Sequence, residues 1–412
     1  MSPISPVFAL GGLALFVALG HALSLLTNEA PKAHRFQSVD GLRGYLAFAV
    51  FLHHAGIWYF YLRGDPWAVP PSNLYTHLGQ VGVSVFFMIT GLLFYSKILD
   101  SRGRSLDWLR LYVSRILRLT PLYLLACGVM LFFVGLLAHG TGNKEPPERI
   151  AAEIVQWLTF TLTGAPMING VRETGTTLAH VVWSLQYEWL FYGCLPLAAF
   201  VAGVRASNVF LLLGIVSLIV LLPMGTYQPM HPANFLVGMI AAVLSRVHAV
   251  GRLSQSFGAS VAVAISLVTA VSCYRSAYSI PPFLLISAAF VVIASGNSMW
   301  GSLTSRTSRA LGELSYGIYL LHGLMLFTLF TFALPRSQAR NLDPIWHWVA
   351  SLGLTPILVL LSALAYRYVE KPAMDLTDGV TRGARSFAAK CGFATETTAR
   401  PVPAATAGAA PP

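Results

Sequence analysis

The sequence predicts an all-α integral membrane protein, a polytopic bundle of about ten core transmembrane helices with one extra helix at the N-terminus. Three observations carry this reading. Of 412 residues, 55% are hydrophobic and 10% charged, with a mean hydropathy of +0.65, far from the composition of soluble domains. Apolar runs long enough to span, about 17–25 residues, fall at 6–26, 42–61, 77–98, 112–138, 178–200, 207–224, 231–247, 257–273, 280–297, 311–333 and 346–368. Only helices or closed barrels satisfy the backbone in hydrocarbon, and these runs lack barrel alternation. With the stretch before Arg43 placed inside and the runs alternating, twenty Lys and Arg residues fall inside and seven outside, as the positive-inside rule expects.

Taken in order, run 6–26 lacks a basic n-region and a small-x-small cleavage site. It is read as a retained span, with removal as a signal peptide the alternative. Residues 1–35 then form an N-terminal helix and linker, and 36–370 the membrane domain. The longest external connection, 139–177, holds an apolar stretch at 149–162 that is too short to span and is expected to lie at the interface or re-enter. Beyond 370 the composition turns to Ala, Thr, Gly and Pro. Residues 371–412 are therefore expected to be a disordered cytoplasmic tail, with no second soluble domain.

The net charge of +11 punctuates apolar runs and forms no stripe, which argues against nucleic acid and for lipid as the surrounding partner. The four cysteines show neither metal nor redox spacing, so no metal site and no disulfide is expected. The sequence sets no oligomeric state.

Ionisable residues at mid-bilayer are costly and are functional candidates by default. Three runs carry one near their centre: His53 and His54, Glu188, and His322. Arg43 and His54 are eleven positions apart, which leaves them within about 20° of one stripe and about 16 Å apart along a helix. Asp40 falls within about 40° of that stripe and His53 about 80° from it. His54 is therefore the candidate general base, with a packing histidine the alternative, and His53 is expected to pack. Arg115 and Arg118, three apart in S-R-I-L-R-L, are neighbours on a helix and suited to phosphate oxygens, though positive-inside charge alone also explains them. In W-S-L-Q-Y-E-W-L-F-Y, Ser184 and Glu188 share a face, and Glu188 is suited to orient a histidine, bind acceptor hydroxyls or relay a proton. Ser315, Tyr319 and His322 share another face, while Gly82 and Gly91 are suited to close helix contact. A proton-coupled transporter or flippase of a lipid-linked sugar would use the same His and Glu as a relay, and that reading stays open.

Several stretches together resemble the membrane-bound acyltransferase-3 family. They are D-G-L-R-G with an Arg, ten residues and a His; G-V-S-V-F-F-M-I-T-G-L-L-F at 82–94; S-R-I-L-R-L-T-P-L-Y-L at 114–124; W-S-L-Q-Y-E-W-L-F-Y at 183–192; and L-G-E-L-S-Y-G-I-Y-L-L-H at 311–322. They stand in family order across about residues 36 to 370. The resemblance implies acyl transfer in a cell's inner membrane from acyl-CoA, with acetyl-CoA expected, to a hydroxyl of a glycan or glycosylated small molecule, and no permanently bound cofactor. It implies His54 and Glu188 as catalytic residues and Arg43, Arg115 and Arg118 on the CoA phosphates. Asp40, Ser184, Tyr187, Tyr319 and His322 are expected against substrate. Gln186, Tyr187 and Gly323 depart from the common pattern, where a Trp often follows the histidine, and bear on the acceptor or acyl pocket.

Overall fold

A computed structural model describes residues 1–26, 35–102, 106–139 and 144–391. Among the described residues the chain is all-helical, without a strand. α1 (Pro6–Leu26), α2 (Gln37–Tyr61), α3 (Asn73–Asp100) and α4 (Trp108–Ala138) come first. The following connection holds α5 (Pro147–Leu158) and the one-turn α6 (Thr174–Thr177). Next are α7 (Trp183–Val201), α8 (Asn208–Tyr227), α9 (Met230–Leu244), α10 (His248–Ser254), α11 (Phe257–Cys273) and α12 (Ile280–Ala294). α13 (Arg306–Glu313) and α14 (Ser315–Thr328) lead into a π-helical turn, Leu329–Ala333. The chain ends with α15 (Arg336–Asn341), α16 (Pro344–Gly353), α17 (Thr355–Ala365), a second π-helical turn at Tyr366–Glu370, α18 (Lys371–Asp375) and α19 (Thr377–Lys390).

The apolar runs of the sequence fall mainly on helices, with 311–333 and 346–368 each divided over more than one helical element. By length and composition, five helical segments can cross a membrane: Pro6–Leu26, Asn73–Asp100, Trp108–Ala138, Ser315–Ala333 and Pro344–Lys390. A sixth arises if α9 and α10, bent by 105°, count as one, and α8, α11 and α12 contribute shorter apolar helices. α2 and α7 are not among them. Asp40, Arg43 and two histidines on one, and Glu188 on the other, lower their hydropathy. The outer surface is apolar: Val209, Leu212, Ile215, Ile219 and Leu222 of α8 lie exposed at helical spacing, a surface that belongs in lipid.

Small residues set the helix contacts around α2. A Cβ at Gly41 would overlap the Leu303 carbonyl, and one at Gly312 would overlap the Asp40 carbonyl. With Gly44, whose Cβ would lie 2.7 Å from the Leu311 carbonyl, these glycines let α2 lie backbone to backbone against α13 and the turn before it. Gly91 makes a similar approach to Phe235 of α9, as its spacing suggested. His53 fastens α2 to α3, with Nδ1 donating to the Tyr75 carbonyl at 2.7 Å. His347 adds a second tie from α16 to the Ala55 carbonyl at 2.9 Å.

Two expectations change. Residues 371–390, read as the start of a disordered tail, are helical. They dock by ion pairs Arg110–Asp378 at 2.7 Å and Arg385–Asp107 at 2.5 Å and by burial of Thr377 and Thr381; residues 392–412 lie outside the described residues. Run 178–200 is helical only from residue 183. Before it the chain turns sharply, with positive φ at Ala179 (49°) and His180 (54°). Gly323 explains how this turn fits: a Cβ there would lie 2.5 Å from the Leu178 carbonyl carbon and 2.7 Å from the Ala179 nitrogen. Main chain occupies the place where a side chain at 323 would sit.

Candidate active site

The site is built on α2, α4, α7 and α14. At its centre His54 of α2 meets His322 of α14, with His54 Nδ1 and His322 Nε2 at 3.1 Å. Each ring is also tied to its own helix. His54 Nδ1 lies 2.9 Å from the Val50 carbonyl and His322 Nδ1 lies 3.0 Å from the Ile318 carbonyl. A carbonyl oxygen only accepts, so both Nδ1 atoms carry hydrogen. His322 Nε2 therefore faces the His54 Nδ1–H with its lone pair. His54 Nε2, the remaining lone pair, makes no hydrogen bond within the protein among the described residues. His322 is fully enclosed, whereas His54 keeps 8% of its surface accessible. Only His54 can meet a substrate. The expectation that His322 touches substrate is corrected accordingly: it stands behind His54.

Toward the start of α2 lies a cluster of arginines. Arg43 has Arg118, Asp40, Glu188 and Arg115 as its charged neighbours, and its Nε is buried without a hydrogen-bond partner. Arg115 lies over the Phe94 ring, 5.1 Å from its centroid. Arg118 is committed further than its sequence pattern suggested. Its Nη1 pairs at 3.4 Å with Glu370, which is fully enclosed at the end of the second π-helical turn. The pair is ionic and not a hydrogen bond, since both Glu370 oxygens lack hydrogen-bond partners.

Glu188 joins this cluster, and of the three roles open to it the orienting of a histidine is not seen among its hydrogen bonds. Its Oε1 accepts from the Tyr192 hydroxyl and from Thr90 Oγ1, the latter at 3.3 Å. Ser184, one turn earlier, bonds to the Tyr319 hydroxyl at 2.8 Å, and both hydroxyls lie near the Val181 carbonyl. The Tyr319 ring is 6.2 Å from His322. A polar file therefore runs from the arginines through Glu188 and Ser184–Tyr319 to the histidine pair. Asp40 sits beside Arg43 at the end of that file. Tyr187 stands apart, its hydroxyl on the Met224 carbonyl at 3.2 Å and its ring against Trp183 and His231.

On the opposite side of the histidine pair, aromatic rings close the site. Trp67, from the α2–α3 connection, lies parallel to His54 at 6.1 Å, and His180 lies 5.5 Å beyond Trp67. Trp67, His180 and Glu370 were missed in the sequence. Only Glu370, a carboxylate after an apolar run, carried a signal there. No group of three His, Cys, Asp or Glu residues able to hold a metal occurs among the described residues.

The helical membrane fold, with a histidine in the interior of α2 and arginines of α2 and α4 clustered toward the start of α2, defines a class, and sequence comparison states it. The chain belongs to the acyltransferase 3 family, described as an acyltransferase domain, which matches residues 36–364. Three relatives extend the match. A putative peptidoglycan O-acetyltransferase, YrhL, of Bacillus subtilis (strain 168) is 25% identical over 86% of this chain and 56% of its own length. Acyltransferase MdmB of Streptomyces mycarofaciens is 24% identical over 84% and 93% of the two chains, and nodulation protein 10 of Rhizobium leguminosarum bv. viciae is 25% identical over 85% and 96%. This chain thus spans about half the length of the Bacillus relative. No solved structure is detectably similar.

Proposed function

We propose that this protein is a multi-pass O-acyltransferase that moves an acyl group, acetyl in the first instance, from acyl-CoA to a hydroxyl of a glycan or glycosylated molecule. The observation that carries this reading is His54 Nε2, a free lone pair placed between an arginine cluster at one end of α2 and an aromatic mouth at the other. Family membership supports the acyl chemistry, and a relative named as a peptidoglycan O-acetyltransferase supports a glycan hydroxyl as acceptor.

In this reading acyl-CoA approaches from the cytoplasmic side. Arg43 and Arg115, with Arg118 alongside, hold its phosphates, where guanidinium forks suit phosphate oxygens. The acceptor approaches past Trp67 and His180. His54 Nε2 takes the hydroxyl proton as the acceptor oxygen attacks the thioester carbonyl. The C–S bond breaks, and the departing thiolate of CoA takes the proton back from Nε2. Transfer through an acyl group carried on Nε2 would use the same atom in the same tautomer. This reading takes the protein as resident in the plasma (inner) membrane with ten core spans and one extra, and the twenty-to-seven charge split supports its orientation, with the 139–177 loop outside and the C-terminus in the cytoplasm.

The test is purified protein in lipid nanodiscs with radiolabelled acetyl-CoA and a crude glycan fraction. Label passing into the glycan with stoichiometric release of CoA is the expected result. Sugar flux across vesicles without CoA release would overturn the proposal in favour of a transporter.

A further inference from the structure

We infer that His322 is a positioning residue for the reaction, the fixed hydrogen-bond acceptor that holds His54 in its reactive tautomer and shares the positive charge when His54 takes a proton. The inference rests on the reading of His54 as the reacting group.

Two helix carbonyls set the tautomers of the pair. Ile318 O accepts from His322 Nδ1–H at 3.0 Å, so the neutral ring keeps its lone pair on Nε2. That lone pair faces His54 Nδ1 at 3.1 Å. The same Nδ1–H also reaches Val50 O at 2.9 Å. Two acceptors on one N–H fix the His54 tautomer and ring orientation, and both leave Nε2 as the reactive atom. A helix carbonyl alone would fix the tautomer. The second acceptor adds a partner across the helix interface, whose hydrogen bond strengthens when His54 becomes an imidazolium. An aspartate fills this position in serine-hydrolase triads. Here a second imidazole fills it, with its own tautomer set by its own helix.

The surroundings fit this role. His322 is fully enclosed, so it meets no substrate. Its ring is held by the edge of Phe51 at 6.4 Å and by Tyr319 at 6.2 Å. Through one turnover the proton balance closes on His54 alone. The acceptor O–H proton moves to His54 Nε2, the ester bond forms as the C–S bond breaks, and CoA leaves with that proton as a thiol. The Nδ1 proton stays on His54 throughout, and His322 Nε2 ends as it began.

Three variants test this in one assay of labelled acetyl-CoA with the glycan fraction. His54→Ala is expected to lose all transfer. His322→Phe keeps an aromatic ring in place and removes the acceptor, and is expected to lower kcat by about 10²-fold or more, the scale of losing a general base or its orienter. Its KM for acetyl-CoA should stay within about twofold, because the donor's phosphates bind elsewhere. His322→Gln places an amide oxygen near the Nε2 position and is expected to recover kcat to within about tenfold of the parent, the scale of one imperfect hydrogen bond. A purely packing role would give the opposite order, with Phe better tolerated than Gln. If His54→Ala is inactive while His322→Phe is as active as the parent, the inference fails and the reading of His54 stands. If His54→Ala is active, that reading fails first. Size-exclusion profiles of the three variants in detergent identify any that misfold, and for those the Gln–Phe comparison is made in nanodiscs from the folded fraction.

Discussion

Removing Glu370 gives the sharpest quantitative test of the arginine cluster. Its carboxylate is fully enclosed and pairs with Arg118 Nη1 at 3.4 Å. At an effective dielectric of about 20, that separation corresponds to about 5 kcal/mol of gross attraction, most of it cancelled by desolvation. Glu370→Gln leaves the Arg118 guanidinium buried without its counter-charge, and breaking a buried pair from one side costs about 3–5 kcal/mol. Arg118→Met leaves the carboxylate unpaired and should cost a similar amount. The double variant removes both charges and should recover most of that stability, since an apolar replacement for a buried pair is often neutral. Denaturation in mixed detergent, followed by tryptophan fluorescence, measures the stability cycle, and acetyl-CoA titration measures KM. If Arg118 also contacts donor phosphate, the double variant regains stability but keeps a raised KM. Normal KM in the double variant would refute the donor role of Arg118. Additive losses in the stability cycle would refute the ion pair itself.

Other outcomes follow from the same geometry. His53→Ala should keep most transfer activity and lose about 1–3 kcal/mol of stability, because it removes the tie to the Tyr75 carbonyl and the ring's packing beside His54; inactivity of the folded variant would place His53 in the chemistry. Arg115→Ala should raise the KM for acetyl-CoA with little change in kcat, as expected for uniform binding of the donor, and an unchanged KM returns this arginine to a topology signal. A cysteine at exposed Glu148 and the native, exposed Cys391, each studied with Cys273 replaced by Ser, should react with impermeant maleimide from opposite sides of the membrane; labelling from one side would overturn the topology. Gly323→Ala should push the 178–182 turn outward at a cost of about 1–3 kcal/mol, read as a lowered melting temperature together with reduced transfer.

The sequence makes some of this legible and hides the rest for a physical reason. Periodicity and charge mark local properties, so the helices, and the place of Arg43, His53 and His54 together on one of them, could be read directly. Polarity inside apolar runs marks His322 and Glu188 as unusual but says nothing of what they face. His322 lies 268 residues from His54, and no local pattern encodes that meeting. Glu188 had three roles open to it, and only the structure shows its partners to be Tyr192 and Thr90. Glu370 was hidden at a boundary that reads as the end of a span, where the π-helical turn carries it inward to Arg118. Trp67 and His180 sit in connections, whose paths apolar periodicity does not constrain. The helical part of 371–391 was hidden by its exposed, charged face, which resembles a tail until its ion pairs to the start of α4 are seen.

The long separation between His54 and His322 also bears on how the protein is made. At roughly 5–20 residues per second, the 268 residues between them take roughly 13–54 s to synthesise. For that interval α2 is in the membrane and α14 does not yet exist. His54 can wait at little cost, since its ring is already satisfied by Val50 of its own helix and carries no formal charge when neutral. Had an aspartate filled its partner's place, α14 would have to bring a carboxylate into hydrocarbon, at about 2.5–3.5 kcal/mol on insertion scales. A pair of neutral imidazoles, each tied to its own helix, lets both halves of the site enter the membrane without a formal charge on either ring and become a site only when α14 arrives.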